Sequence, residues 1–192
     1  MINKERLIKS FMELVATDNP SYGERAICDF ITARLRSLGI TPYEDDTASK
    51  IGGSAGNLYA YVEGTLDLPP ILLSAHMDTV EPSCGKRAVI HDDGRITSDG
   101  KTALGADDLS GVAAILEALT VIKSPDFNIK HRPIEVLFDS AEEVYCDGIR
   151  NFDFSMLKSK EAYVFDLSES VGYAANEAPA IISFKADFTG RA

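Results

Sequence analysis

Three compact, mainly apolar runs constrain this chain most: Ile71–Ala75, Ile134–Phe138 and Ala162–Phe165. Runs this short and this dense in apolar residues are expected of strands covered on both faces. Between the first two lies a long, mostly apolar stretch from Asp108 to about Lys123, which predicts a buried helix. Buried strands alternating with helices place the chain in the α/β class, as an αβα sandwich around a mixed, mostly parallel sheet.

Helical spacing recurs near the N-terminus. Leu7, Ile8, Phe11, Met12 and Val15 share one face over residues 4–15. Ser21-Tyr22-Gly23-Glu24 has the form of a capping box, and the helix it opens buries Ile27, Phe30, Ile31, Leu35 and Leu38 before Gly39 stops it. Tyr43 to Gly56 is polar and glycine-rich and predicts a loop, and Leu58–Val62 predicts a strand. Ala180–Phe188 differs from the other strand candidates. It alternates, with Ile182, Phe184, Ala186 and Phe188 on one side and Ser183, Lys185 and Asp187 on the other, as in a half-exposed strand of a different sheet. A domain boundary is therefore expected near Pro179, with residues 1–179 in one unit and 180–192 opening another.

Composition excludes several functions. The 192 residues carry 19 basic and 30 acidic side chains, a net charge of −11. Such a surface disfavours nucleic acid and anionic membrane as partners. The first residues lack the apolar core and small-residue cleavage site of a signal peptide, and no stretch reaches the apolar length that crosses a bilayer. Cys28, Cys84 and Cys146 are odd in number and form no CxxC pair, which fits reduced thiols in the cytoplasm better than disulfides or a zinc knuckle.

The chemistry lies at the strand ends. In open α/β sheets ligands bind beyond the carboxyl ends of the strands. Ile71–Ala75 runs into His76-Met77-Asp78, and Ile134–Phe138 runs into Ser140-Ala141-Glu142-Glu143. Ala162–Phe165 ends at Asp166, and the long helix is preceded by Gly105-Ala106-Asp107. Carboxylates massed at one edge repel one another unless cations neutralise them. One imidazole among several carboxylates suits zinc, with cobalt or manganese as alternatives. Taken singly, the same residues have plainer readings. Asp107 suits a helix N-cap, Glu142 and Glu143 suit a solvated turn, and Asp166 suits a turn cap. His91 and His131 lie in polar, charged loops and read as exposed rather than liganding.

The segments SAHMDTVEP (74–82), SDGKTALGADDLSGVAAILEAL (98–119), SAEEVYCDGIRNFD (140–153) and YVFDLSESVG (163–172) together resemble the peptidase T-like (tripeptide aminopeptidase) family of co-catalytic two-metal peptidases. The resemblance covers the N-terminal half of such an enzyme. It implies a zinc-exopeptidase-like catalytic domain, incomplete here, followed by the first strand of a lid domain. It also implies two divalent ions held by His76, Asp107, Glu143 and Asp166, with Asp107 bridging. By the same resemblance Asp78 orients His76, Glu142 is the general base, and the Asp107–Asp108 peptide bond is cis. The implied substrate is a short peptide cut at its N-terminal residue, and a homodimer is expected only with the lid. In the family a late histidine completes the second metal site; with the chain ending at Ala192, the 192 residues alone are expected to be inactive. Two alternatives stand beside this reading: an amidohydrolase, dipeptidase or carboxypeptidase acting on N-acyl amino acids or dipeptides, and a non-catalytic fragment that binds metal weakly. The sequence also departs from the family's glycine-rich stretch after the glutamate pair, having Val144-Tyr145-Cys146-Asp147 instead.

Overall fold

In the computed structural model, which describes residues 1–126, 129–168, 171–177, 182 and 184–190, the two expected N-terminal helices form as α1 (Lys4–Val15) and α2 (Arg25–Ser37). Asn3 caps α1 by accepting from the Arg6 backbone N–H, and α1 buries Phe11, Leu14 and Val15. Helix α2 buries Ile27, Cys28, Ile31 and Leu35. Gly39, with φ of 71°, turns the chain out after it, a backbone state that glycine adopts without strain. The expected loop after α2 instead holds two short elements, β1 (Tyr43–Glu44) and α3 (Thr47–Ile51), too brief to leave a periodic signature. Strands β2 (Leu58–Val62) and β3 (Ile71–His76) follow.

A small hairpin that the sequence reading did not foresee comes next, β4 (Ala88–Ile90) paired antiparallel with β5 (Ile96–Ser98). It is a separate two-stranded sheet and largely solvent-facing. Helix α4 (Ala106–Ile122), strand β6 (Ile134–Asp139) and strand β7 (Ala162–Val164) complete the regular elements, with 3-10 turns at Ile149–Asn151 and Phe154–Met156.

The main sheet has five strands in the order β1-β2-β6-β3-β7. β6, β3 and β7 are parallel, while β2 is antiparallel to both of its neighbours. Every strand but β2 thus runs the same way. Two-residue periodicity divides the faces. Leu58, Ala60, Val62, Leu73, Ala75, Ile134, Val136 and Phe138 join α1, α2 and α4 in the large core. Leu72 and Leu137 point the other way and meet Phe152, with Tyr59, Ile149, Met156 and Leu157 around them. Among the described residues that second face is covered by the 3-10 turns. Helix α4 lies between α1 and the sheet, which is why Leu109, Val112, Ile115, Leu116 and Leu119 are all buried. Each such side chain contributes roughly 1.5–3 kcal/mol on burial. Arg6 ties α1 to α4 through two hydrogen bonds to Glu117, each 2.7 Å.

Two expectations need correction. Among the described residues β7 is the edge of the sheet and is not covered on both faces, with Ala162, Tyr163 and Val164 exposed. The strand expected at Ala180–Phe188 falls partly outside the described residues, and residues 182 and 184–190 have no regular structure. The boundary near Pro179 also lies outside the described residues. No described helix is long and apolar enough to cross a membrane.

Candidate metal centre

Parallel pairing of β3 with β6 sets His76 opposite Asp139 at the carboxyl end of the sheet. The chain leaving β7 stays beside β3, with Phe165 N donating to the Ser74 carbonyl at 2.9 Å, which carries Asp166 to the same edge. The N-terminus of α4 reaches it too. Asp107 and Asp108 have non-helical backbone, the bond between them is cis, and the regular helix starts only after them. Asp108 is the cap: Oδ1 accepts from Gly111 N at 3.1 Å, and Oδ2 accepts from His76 N at 3.3 Å. A Cβ on residue 111 would collide with that carboxylate, so glycine is what admits the cap.

The sequence-derived residues converge. One ligand atom each from His76, Asp107 and Glu143 lie within 4.8 Å of one another, and so do one each from His76, Glu142 and Asp166. The imidazole is held at both nitrogens. Nε2 is 2.9 Å from Asp107 Oδ1, while Nδ1 faces Asp78, 2.9 Å from its backbone carbonyl and 3.4 Å from Oδ1. Asp78 is wholly buried, and its carboxylate does more than face His76. Oδ1 accepts from Glu142 N at 2.9 Å; Oδ2 accepts from Ser21 Oγ at 2.7 Å and Glu143 N at 3.2 Å. One buried acid therefore fixes both the histidine and the backbone of the glutamate pair.

Ser21 and Glu24 are not a capping box. Ser21 reaches Asp78, and Glu24 Oε1 accepts from Tyr22 N at 2.8 Å and Ala141 N at 3.0 Å. The segment is brought to the site by Asn19, whose carbonyl accepts from Thr79 N and whose Nδ2 donates to the Met77 carbonyl at 2.6 Å. The turn beyond β6 is held from the other side by Asn57, which accepts from Ser140 N and donates to the Gly148 carbonyl.

Electrostatics mark the place as one that wants positive charge. Burial pushes the Asp139 carboxyl up to about 7, with Asp78 and Glu142 adding to it against the attraction of His76. Burial raises Asp108 to about 8, with Asp166 as an added repulsion. Asp166 rises to about 6 through desolvation and the adjacent Asp107. Glu143 rises for the same reasons, burial first and then Asp107, Asp78 and Glu142. Burial alone would lower His76, but the Asp78 and Asp107 carboxylates outweigh it and carry the imidazole to about 10. A cavity of about 210 Å³ opens beside Asp107 and Asp166, lined also by Ser110, Phe165 and Leu167. Of the other histidines, His91 is exposed and His131 half-buried; neither belongs to these groups of ligand atoms.

Residues 57–183 match Peptidase family M28. The chain belongs to this family. It is similar to the aminopeptidase PepT of Bacillus cereus, with 40% identity and a TM-score of 0.85 over 89% of this chain and 45% of that one. A tripeptidase from Staphylococcus aureus is alike at 37% identity, with a TM-score of 0.85 over 90% of this chain and 46% of that one. Peptidase T of Salmonella arizonae is 30% identical over 84% of this chain and 48% of its own length. The chain thus spans about half the length of the curated relatives it matches. The peptidase T-like resemblance, the α/β fold and the place of the chain in the N-terminal half all stand.

Asp108 caps the helix, one of the two places the sequence offered for the cap, whereas Asp139, Ser21 and Glu24 are participants whose part in the site sequence reasoning did not find. Asp139 follows the apolar run directly and could have been found by the rule that selected Asp166. Ser21 and Glu24 gave a local signal that pointed to the wrong partner.

Proposed function

We propose that the whole protein is a two-metal aminopeptidase acting on short peptides, tripeptides foremost. The observation that carries this is the pair of overlapping donor groups around His76, backed by an acid that holds the imidazole and the glutamate turn together. The donor set fits divalent ions: an imidazole nitrogen and several carboxylates, of which Asp166 and Glu143 are raised by burial first and then by neighbouring acids. His76, Asp107, Glu143 and Asp166 would hold them, and zinc is the ion this mixture suits first, ahead of cobalt or manganese. Bound there, two such ions supply Lewis-acid polarisation of the scissile carbonyl and a more acidic water.

The chain's own residues do the rest. Asp78 holds His76 by its Nδ1 side, so Nε2, the nitrogen beside Asp107, is the one that would face an ion. Through the Glu142 and Glu143 N–H groups it also fixes where the two carboxylates start. Glu142 takes a proton from the attacking water and returns it to the leaving amine. The names of the similar proteins, an aminopeptidase and a tripeptidase, support the choice of substrate. Reduced cysteines suit a cytoplasmic place of action.

The test is hydrolysis of a free tripeptide against its N-acetylated form by the whole protein with zinc, cobalt or manganese added. Cleavage of the free tripeptide at its first bond, with the acetylated form resistant, is expected. Preferred release of the acyl group would replace this reading with an amidohydrolase.

A further inference from the structure

After Glu143 the backbone doubles back. Tyr145 and Cys146 both adopt left-handed conformations, with φ of 64° and 56°. Cys146 N donates to the Glu142 carbonyl at 2.7 Å, and Asp147 N donates to the Ala141 carbonyl at 2.9 Å. The outer side is pinned by Tyr22, whose hydroxyl donates to Asp147 Oδ2 at 3.2 Å. Gly148 then passes so close to Ser140 that any Cβ would strike its carbonyl oxygen. A side chain in the left-handed region costs about 1–2 kcal/mol relative to glycine, so the turn keeps a thiol at 146 against its backbone preference. That turn returns the Cys146 Sγ to 3.3 Å from Glu142 Oε1.

We propose that Cys146 is a positioning residue for Glu142: its S–H donates to one carboxylate oxygen and fixes the rotation of the carboxylate, leaving the other oxygen to carry the proton. The role rests on the reading of Glu142 as general base. Burial and the neighbouring Glu142 hold the thiol up to about 11, so it stays a donor at neutral pH. Its sulfur belongs to neither group of ligand atoms around His76, and its contact is with the Glu142 carboxylate.

Two measurements on the whole, metal-loaded protein test this. The first is the infrared S–H stretch of Cys146, isolated as the difference between the protein and its Cys146→Ser variant. It is expected to move to higher frequency when Glu142→Gln replaces the charged acceptor with a weaker one. An unmoved band would overturn the hydrogen bond. The second compares peptide turnover. Cys146→Ser, which keeps a donor, is expected to stay within about twofold in kcat, while Cys146→Ala loses about five- to tenfold at unchanged KM and metal content. Equal losses for Ser and Ala would overturn the positioning role. Full turnover by Glu142→Gln would instead remove Glu142 as base, and the catalytic role of Cys146 with it, whatever the S–H band shows.

Discussion

Two buried acids at this site should respond in opposite ways to the same substitution. Asp78 is wholly buried and accepts from Ser21 Oγ, Glu142 N and Glu143 N, and its carboxyl is lowered because its hydrogen bonds and His76 outweigh its desolvation. Asp78→Asn keeps the shape but turns one acceptor into a donor. Whichever way the amide is set, its NH2 faces the N–H of Glu142 or of Glu143, so one backbone donor loses its partner. An orphaned donor costs about 1–3 kcal/mol, and weakening the remaining charge-assisted bonds adds about 1 kcal/mol, for a total of roughly 2–4 kcal/mol. For a chain of this size that lowers Tm by roughly 4–16 °C. Asp139 is the contrast. Its carboxyl is raised to about 7 by burial, so above that pH its charge is held at a cost. Asp139→Asn should therefore be neutral or stabilising at pH 8 and less stabilising at pH 5, where the folded acid is protonated and only part of that cost has accrued relative to the ionised unfolded chain. Urea or thermal unfolding of the metal-free protein at both pH values measures all of this. The reasoning is refuted if Asp78→Asn unfolds with the native midpoint, or if Asp139→Asn costs as much as Asp78→Asn at pH 8.

The metal-free protein as a whole should lose stability as pH rises. Asp166, Asp139 and Asp108 have folded values of about 6, 7 and 8 against an ordinary 3.8, and His76 about 10 against 6.5. Each group binds its proton more tightly when folded. Its contribution is complete below the ordinary value and is lost as pH climbs through the folded one, between about pH 4 and 10. Added zinc should reverse the trend, and a stability that rises with pH in the metal-free protein would contradict it. Glu142→Gln should retain metal by elemental analysis while losing about 10²–10⁴-fold in peptide turnover; loss of metal would mean that Glu142 and Glu143 exchange roles. Gly148→Ala must displace Ser140 or the turn itself, and is expected to destabilise by more than about 2 kcal/mol in urea unfolding; a native midpoint would show that the close approach is relieved cheaply.

How far the sequence could be read depended on whether a residue's partner was near or far along the chain. That His76, Glu142, Glu143 and Asp166 come to one edge was legible because each follows an apolar strand run, and Asp107 because it stands just before the apolar helix. The core followed from periodicity: the α4 residues buried on every side are the ones that read as mostly apolar. Ser21 and Glu24 misled because the capping signature is local, while their true partners, Asp78 and Ala141, are 57 and 117 residues away. β7 read as covered because burial depends on what lies across the sheet edge, which no local pattern encodes. β4 and β5 are short and half-exposed, so no apolar face drew attention to them.

The central claim is that two divalent ions sit where these strand ends meet. Anomalous diffraction from crystals of the whole protein soaked in zinc tests it most directly. The account predicts two peaks a few ångströms apart, both against Asp107, with His76 Nε2 and Asp166 at one and Glu143 at the other. Cys146 should lie outside both coordination shells and in contact with Glu142. Zinc bound elsewhere with this edge vacant, or a single ion ligated by the Cys146 sulfur, would contradict it.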